Sequence, residues 1–127
     1  MEPEIRQAME RGGIADITTV GRKTGQPRRI EIYFHHFDGK FYLTGRPSTR
    51  TRDWVANILA HPEFTLNLKR GVTADVPVVG RPEPDEAERA RILRRALIEN
   101  WDSPPDGVDA SLHKWVANAP FIEFETV

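Results

Sequence analysis

The stretch Gly21–Arg29, which reads Gly-Arg-Lys-Thr-Gly-Gln-Pro-Arg-Arg, combines the residue types that bind phosphate groups. Two glycines and a proline mark it as a tight turn, and four of its nine residues are cationic. Glycine lets a backbone approach a ligand closely, while arginine and lysine offer a phosphate a forked donor and a point charge. The stretch therefore predicts a phosphate-binding turn, with an exposed hairpin turn of solvated charges as the alternative.

A second basic segment, Arg46–Arg52, reads Arg-Pro-Ser-Thr-Arg-Thr-Arg and precedes a predicted helix with Thr51 as its N-cap. The free N–H groups at the start of such a helix also favour anions. If the strands around the two basic segments form a meander, both segments lie at the same end of the sheet. The cations that would then surround one site are Arg22, Lys23, Arg28, Arg29, Arg46, Arg50 and Arg52. This arrangement suits a phosphorylated cofactor, and two independent exposed loops are the alternative.

The sequence shows no set of side chains for metal binding or nucleophilic catalysis. It has no cysteine, and its serines lie outside any nucleophile-elbow context. His35 and His36 are neighbours on a predicted strand, so their side chains point in opposite directions. No metal is therefore expected. If the protein is an enzyme, a bound cofactor is expected to supply the reactive atom.

Composition favours one soluble domain over residues 1–127, with an N-terminal helix within residues 1–12. The charged fraction is 29% and the formal net charge is −1, so no overall field attracts nucleic acid. No apolar run reaches the length of a transmembrane helix, and the first residues lack the apolar region of a signal peptide. The absence of cysteine fits a reducing cytoplasm, where we expect the protein to work.

Apolar and polar residues alternate in six segments, which predicts six strands. The predicted strands cover residues 14–20, 28–37, 40–45, 63–69, 72–79 and 120–127. In the second strand Ile30, Ile32 and Phe34 are expected to face the core. Asp38-Gly39 is typical of a hairpin, and Pro77 places its strand at an edge or a bulge.

Helices are predicted between these strands, over residues 3–11, 51–60, 84–97 and 110–117, with residues 101–108 as a loop. Asp85 is expected to cap the third helix. The arginines of that helix alternate with acids and are expected to form a solvated face. So many antiparallel strands in so short a chain must close on themselves or expose an edge. We therefore expect an α+β, mainly β fold, a small barrel of about six mostly antiparallel strands with peripheral helices, and its edges leave room for a homodimer.

Two motifs carry a resemblance to a known family. Residues 18–28, Thr-Thr-Val-Gly-Arg-Lys-Thr-Gly-Gln-Pro-Arg, resemble the strand and turn of the deazaflavin-dependent nitroreductase family. Residues 54–62, Trp-Val-Ala-Asn-Ile-Leu-Ala-His-Pro, are similar to the helix that follows in that family. The likeness covers most of residues 14–100.

The resemblance implies a split β-barrel that binds the deazaflavin coenzyme F-420. It further implies hydride transfer from the reduced coenzyme to a small-molecule acceptor, a quinone, enone or nitro compound. The cofactor-binding residues that it implies are Arg22, Lys23, Thr24, Gly25, Arg28, Gly45, Arg46, Ser48, Thr51 and Trp54. The catalytic residues are not implied.

Related barrels bind other groups, and this leaves two alternatives. In the first alternative the protein is an FMN-binding, flavin-reductase-like protein. In the second it is a non-enzymatic carrier, either of a phosphorylated cofactor or of a tetrapyrrole such as haem or a bilin. Trp101 and Trp115 are candidates for a pocket wall or for the core.

Overall fold

The computed structural model describes all of residues 1–127 and contains six strands and four α-helices. The strands are β1 (Gly13–Val20), β2 (Pro27–Phe37), β3 (Lys40–Thr44), β4 (Glu63–Leu68), β5 (Ala74–Pro82) and β6 (Phe121–Thr126). The helices are α1 (Pro3–Arg11), α2 (Asp53–Ala60), α3 (Glu86–Arg95) and α4 (Pro105–Asn118), and a π-helical turn, Ala96–Asn100, extends α3. None of the helices combines the length and apolarity needed to cross a membrane.

The six strands close into an antiparallel barrel in the order β1-β2-β3-β6-β5-β4. Strands β1 to β3 form a meander in which Val20 pairs with Pro27 and Phe37 pairs with Lys40. The turn after β1 and the segment after β3 therefore lie at the same end of the barrel. The structure confirms the predicted split-barrel fold, although helix and strand contribute about equally.

The barrel interior is filled by the inward side chains of all six strands, together with residues of α1 and α2. The largest fully buried members of this cluster are Ile17, Phe34, Leu43, Leu66, Ile122, Phe124, Met9 and Ile58. Alternation along each strand produces this core because successive residues point to opposite faces. Helix α2 packs on β1 and β5, so its position is fixed by the barrel.

A second apolar cluster lies outside the barrel, where α3 and α4 cover β2, β3 and β6. Phe37, Tyr42 and Phe121 point outward from their strands and pack against Ile92 and Leu93 of α3. His35 is also buried, on the strand face that alternation alone assigns to the outside, where Asn100 and Trp101 from the segment after α3 lie against it. The second half of β2 is therefore buried on both faces, because helices occupy what would otherwise be its solvent side.

The edge-strand prediction from Pro77 is wrong, since β5 pairs with β4 on one side and β6 on the other. The Pro77 carbonyl accepts the Val127 N–H at 3.1 Å, just beyond the last paired residues of β6. In a strand, the nitrogen and carbonyl of one residue face the same neighbour. The missing N–H of Pro77 therefore falls where the ladder ends and costs no strand pairing.

The predicted loop over residues 101–108 is too long. Helix α4 begins at Pro105, with Pro104 in the N-cap position. Proline is well tolerated in a first turn because its absent N–H would have no intrahelical partner there. The Pro-Pro pair thus starts a helix of 14 residues. The predicted Asp85 cap is confirmed, since its carboxylate accepts the Ala87 N–H at 2.9 Å.

Candidate cofactor site

A cleft of 690 Å³ opens between the Gly21–Gln26 turn and the start of α2, and we call it the first cleft. Its lining comes from the end of β1, the turn, the start of β2, the segment before α2, and α2 itself. The lining residues are Thr19, Gly21, Arg22, Lys23, Thr24, Arg28, Ile30, Arg50, Arg52, Asp53, Trp54 and Asn57. Both basic segments of the sequence thus contribute to one site.

The Gly21–Gln26 turn is closed by its own hydrogen bonds. The Gly21 N–H donates to the Gln26 carbonyl at 2.8 Å, and the Gly25 N–H donates to the Gly21 carbonyl at 2.8 Å. The Thr24 hydroxyl accepts the Gln26 N–H at 3.2 Å. A Cβ at Gly21 would lie 2.6 Å from the Thr24 hydroxyl oxygen and 3.2 Å from the Gln26 carbonyl oxygen. A side chain at this position would therefore displace the Thr24 hydroxyl and crowd the Gln26 carbonyl.

Asn57 connects this turn to α2. Its side-chain oxygen accepts the Arg22 backbone N–H at 3.1 Å, and its side-chain nitrogen donates to the Thr19 hydroxyl at 3.1 Å. Asn57 is buried, with 3% of its surface exposed. Buried amides need such partners because an unpaired buried polar group is costly. Asn57 therefore fixes the distance between the two walls of the first cleft.

Helix α2 begins at Asp53, and its N-cap lies one residue later than predicted. Arg52 occupies the N-cap position with no side-chain hydrogen bond, so Thr51 is not the N-cap. The first-turn N–H groups therefore have no side-chain acceptor. Asp53 and Trp54 of this turn line the first cleft. An uncapped helix N-terminus beside the cleft favours an anionic ligand through its dipole and free donors.

Most cations of the first cleft have no carboxylate partner. Arg22 forms a long ion pair with Asp53, at 3.4 Å and largely in solvent, and such pairs are weak. The cations that form no ion pair are Lys23, Arg28, Arg50 and Arg52. The Arg52 guanidinium donates to the Arg46 carbonyl at 2.8 Å, and its Nε is buried without a partner. The unpaired cations of this cleft fit a phosphate group.

The first cleft also has an apolar wall, formed by Ile30 and Trp54. Ile30 points to the same side of β2 as the buried Phe34, yet 37% of its surface is exposed. Its assignment to the core is therefore wrong, because this end of the strand projects past the barrel interior. Ile30 and Trp54 can pack against the flat ring of a cofactor whose phosphate contacts the cations.

The predicted site residues divide into two groups. Five of them line the first cleft, namely Arg22, Lys23, Thr24, Arg28 and Trp54. Gly25 lies on the other side of the turn, and Ser48 and Thr51 line a separate cleft next to α4. Gly45 and Arg46 line neither of these clefts. The Arg46 carbonyl accepts a hydrogen bond from the Arg52 guanidinium. A Cβ on Gly45 would lie 3.4 Å from Pro120 Cγ.

Arg29 lies outside the basic cluster that lines the first cleft. It points to the opposite face of β2 and pairs with Asp16 at 2.9 Å. Lys69 binds the same carboxylate at 2.7 Å, and hydrogen bonds from Lys69 and Arg29 hold the pKa of Asp16 below its usual range. Alternation along a strand separates Arg28 from Arg29 in this way.

The residues of the first cleft that the resemblance did not imply include Thr19, Arg50, Arg52, Asp53 and Asn57. Asn57 had a recognisable signal, because it follows Trp54 by three residues on the apolar face of α2. A polar residue on such a face requires a buried partner. Asp53 is the one carboxylate of the cleft lining, and no group of three or more His, Asp and Glu side chains lies close enough to hold a metal ion.

The fold is similar to several solved structures. A conserved hypothetical protein of Mycobacterium tuberculosis superposes with a TM-score of 0.74 at 16% identity, over 99% of this chain and 80% of that one. A protein described as an F-420 reductase gives a TM-score of 0.60 at 20% identity, over 100% of this chain and 95% of that one. The haem storage protein HutZ of Vibrio cholerae gives a TM-score of 0.60 at 12% identity, over 98% of this chain and 87% of that one. At these identities the likeness shows the split-barrel fold.

Sequence comparison gives the more specific result. The family described as F-420H(2)-dependent quinone reductase matches residues 3–109, which include both basic segments, α2 and α3. The match confirms the deazaflavin-family resemblance and favours the deazaflavin coenzyme over FMN or a tetrapyrrole. The chain belongs to the F-420H(2)-dependent quinone reductase family.

Proposed function

We propose that this protein binds the reduced deazaflavin coenzyme in the first cleft and uses it to reduce a quinone. The observation that supports this most directly is the composition of that cleft. Four cations without carboxylate partners and an uncapped helix N-terminus lie beside an apolar wall in one space of 690 Å³. A ligand that carries both a phosphate and a flat ring satisfies all three features.

The residues of the first cleft divide this work. Lys23 and Arg28 bind the phosphate, whereas Arg50 and Arg52, on the segment before α2, are left for the acceptor. Ile30 and Trp54 pack against the ring. Asn57 and the closed Gly21–Gln26 turn hold the two walls at a fixed separation, which preorganises the site.

When bound, the reduced coenzyme supplies a hydride, that is, two electrons and one proton. The quinone gains this hydride and a proton from solvent and becomes a hydroquinone, while the coenzyme releases one proton to solvent and is left oxidised. The protein's contribution is to orient the acceptor and to stabilise negative charge on its oxygen. Guanidinium groups near the reacting carbonyl provide that stabilisation most strongly where water is excluded, and Arg50 and Arg52 are the groups placed for it.

The remaining predicted cofactor contacts, Gly25, Gly45, Arg46, Ser48 and Thr51, stay predictions. Arg46 and Ser48 lie on the segment that leads into α2. They hold this segment in place beside the first cleft. The Arg46 carbonyl accepts a hydrogen bond from the Arg52 guanidinium, and the Ser48 N–H donates to the Asn118 carbonyl at 2.9 Å. We also infer a cytoplasmic location. We further infer that the protein forms a homodimer, and light scattering of the purified protein tests this oligomeric state.

The first experiment is a fluorescence titration of the purified protein with oxidised deazaflavin coenzyme and, in parallel, with FMN. We expect saturable binding of the deazaflavin at a concentration at which FMN does not bind. The reduced coenzyme is then mixed with menadione, and its oxidation is followed by absorbance. Binding of FMN in preference to the deazaflavin would overturn the proposal, and so would deazaflavin binding with no quinone reduction.

A pair of matched double variants locates the binding site. Arg22→Ala with Lys23→Ala removes two cations from the first cleft. Arg70→Ala with Lys114→Ala removes two cations that form no ion pair and lie away from it. We expect only the first pair to weaken deazaflavin binding, by about tenfold or more, because each charge-assisted contact contributes about 1.5–3 kcal/mol. Equal affinity of the two double variants would contradict the phosphate assignment.

A further inference from the structure

A second cleft, of 400 Å³, lies on the other side of the segment that leads into α2. Its walls are that segment, the start of α3, the C-terminal end of α4 and the start of β6. Arg50 and Arg52 line both clefts. The two clefts are therefore adjacent, with these two arginines on their common border.

Arg89 distinguishes the second cleft from the rest of α3. The other arginines of this helix all pair with carboxylates, at 2.6–2.8 Å, as Arg91 does with Glu88 and Arg94 with Asp109. Arg89 forms no ion pair. It donates to the backbone carbonyl of Glu83 at 2.8 Å and lines the second cleft. The expectation of a solvated arginine face holds for its neighbours, whereas the Arg89 guanidinium keeps unused donors beside the cleft.

The charge balance of the second cleft is positive. Arg50, Arg52 and Arg89 face one carboxylate, that of Glu83. This carboxylate accepts the Asp85 N–H at 3.1 Å and forms no ion pair with any of the three arginines. An anionic group entering the cleft would gain charge-assisted hydrogen bonds that no protein side chain supplies.

Part of the lining of the second cleft is apolar. Val55 of α2, Val116 and Ala119 at the end of α4, and Pro120 and Phe121 at the start of β6 form it. The cleft thus offers an apolar surface for a ring and a cationic edge for one negative substituent. An aromatic anion matches both features.

We propose that the second cleft is the acceptor site and that Arg89 makes it selective for quinones that carry a carboxylate or sulfonate group. This inference rests on the proposed function, since it names the acceptor class for that reaction. The reaction is unchanged: the quinone ring gains a hydride and a proton, and its anionic substituent takes no part. Arg89 is a specificity residue that contacts the substituent, whereas Arg50 and Arg52 are next to the reacting ring.

The test compares two acceptors of one ring system, menadione as the neutral one and a naphthoquinone monosulfonate as the anionic one. The variant is Arg89→Gln, with Arg89→Lys to restore the charge and Arg94→Gln as a control on the same helix. We expect Arg89→Gln to lower kcat/KM for the sulfonate about tenfold, the value of one charge-assisted contact, and to change that for menadione less than twofold. Arg89→Lys should recover part of the loss, and Arg94→Gln should match the wild type with both acceptors.

A binding measurement separates this proposal from the proposed function. Naphthalene sulfonate, which cannot be reduced as a quinone can, is titrated calorimetrically into wild type and Arg89→Gln. Weaker binding to the variant supports the cleft assignment even if no quinone is reduced, in which case only the proposed function fails. Equal binding to both proteins, or an equal loss of activity with both acceptors, would overturn the role of Arg89.

Discussion

The side-chain oxygen of Asn57 accepts a hydrogen bond from the backbone N–H of Arg22 at 3.1 Å. The two residues lie 35 positions apart in sequence, one on α2 and the other in the basic turn. This bond makes the position of the turn depend on the helix rather than on the strands alone. The cations of the turn and those before α2 therefore face each other across a distance set by a buried amide.

Replacing this amide should weaken both folding and coenzyme binding. Asn57→Ala leaves the Arg22 N–H and the Thr19 hydroxyl without their partner, which costs about 1–3 kcal/mol of unfolding free energy. The turn also becomes free to move, so affinity for the deazaflavin should fall. Urea unfolding and the fluorescence titration measure the two effects.

Asn67 offers a matched control for that variant. It is also a buried amide, with 4% exposed surface, and it bonds to Thr18 at 2.7 Å and Asp75 at 2.8 Å away from the first cleft. Asn67→Ala should destabilise the protein by a similar amount and leave coenzyme affinity unchanged. If the two variants lost affinity equally, Asn57 would have only a structural role.

Gly21→Ala should open the basic turn. Its Cβ would sit 2.6 Å from the Thr24 hydroxyl oxygen, which would then leave the Gln26 N–H. We expect deazaflavin affinity to fall severalfold while the barrel stays folded, because residues 22–26 of the turn are exposed and Gly21 is not part of the hydrophobic core. The measurement is the coenzyme titration together with circular dichroism.

Gly107→Ala is the corresponding control for a glycine replacement. Gly107 lies in α4, and a Cβ there meets nothing within 4 Å. Alanine in a helix is favoured over glycine by about 1 kcal/mol, so this variant should be slightly more stable and bind the coenzyme normally. Normal binding by Gly21→Ala as well would show that the turn tolerates a side chain.

The sequence predicts the strands well because their burial alternates with a period of two, and the meander then brings the two basic segments together. It predicts less where helices cover a strand from outside. His35 is the clearest case: alternation assigns it to the outer face, and only the tertiary packing of the segment after α3, which places Asn100 and Trp101 against it, buries that face. Likewise, no local pattern specifies which arginines have a carboxylate partner. Arg29 pairs with Asp16, whereas Arg89 forms no ion pair.

The burial of His35 should make stability depend on pH. Its Nδ1 lies 2.7 Å from the Asn100 amide nitrogen, its Nε2 has no partner, and burial lowers its pKa to about 4 from the ordinary 6.5. The unfolded chain therefore binds a proton between pH 6.5 and about 4 that the folded chain does not. Stability is kept above pH 6.5 and is lost as pH falls toward 4, by about 2 kcal/mol between pH 7 and pH 5.

Two neighbouring variants isolate this contribution. His35→Gln removes the buried imidazole, whereas His36→Gln removes one whose Nδ1 meets the Glu10 carbonyl at 3.0 Å near the surface. Urea unfolding at about pH 7 and about pH 5 should show the loss in wild type and His36→Gln but not in His35→Gln. The same pH dependence in all three proteins would assign the effect to carboxylates instead.

Gly80 determines how closely α2 approaches the barrel. A Cβ at this position in β5 would lie 2.9 Å from Ile58 Cγ2 of α2, 3.0 Å from Ile122 Cγ2 and 3.0 Å from Phe64 Cε1. Gly80→Ala should therefore cost about 1–3 kcal/mol through overpacking. It should also weaken coenzyme binding, since α2 carries Trp54 and Asn57 into the first cleft.

A second substitution tests this contact. Ile58→Ala removes the side chain that the new Cβ would meet, so the double variant Gly80→Ala/Ile58→Ala should lose less stability than the two single losses combined. Additive losses in urea unfolding would show that Ile58 and Gly80 do not share this contact.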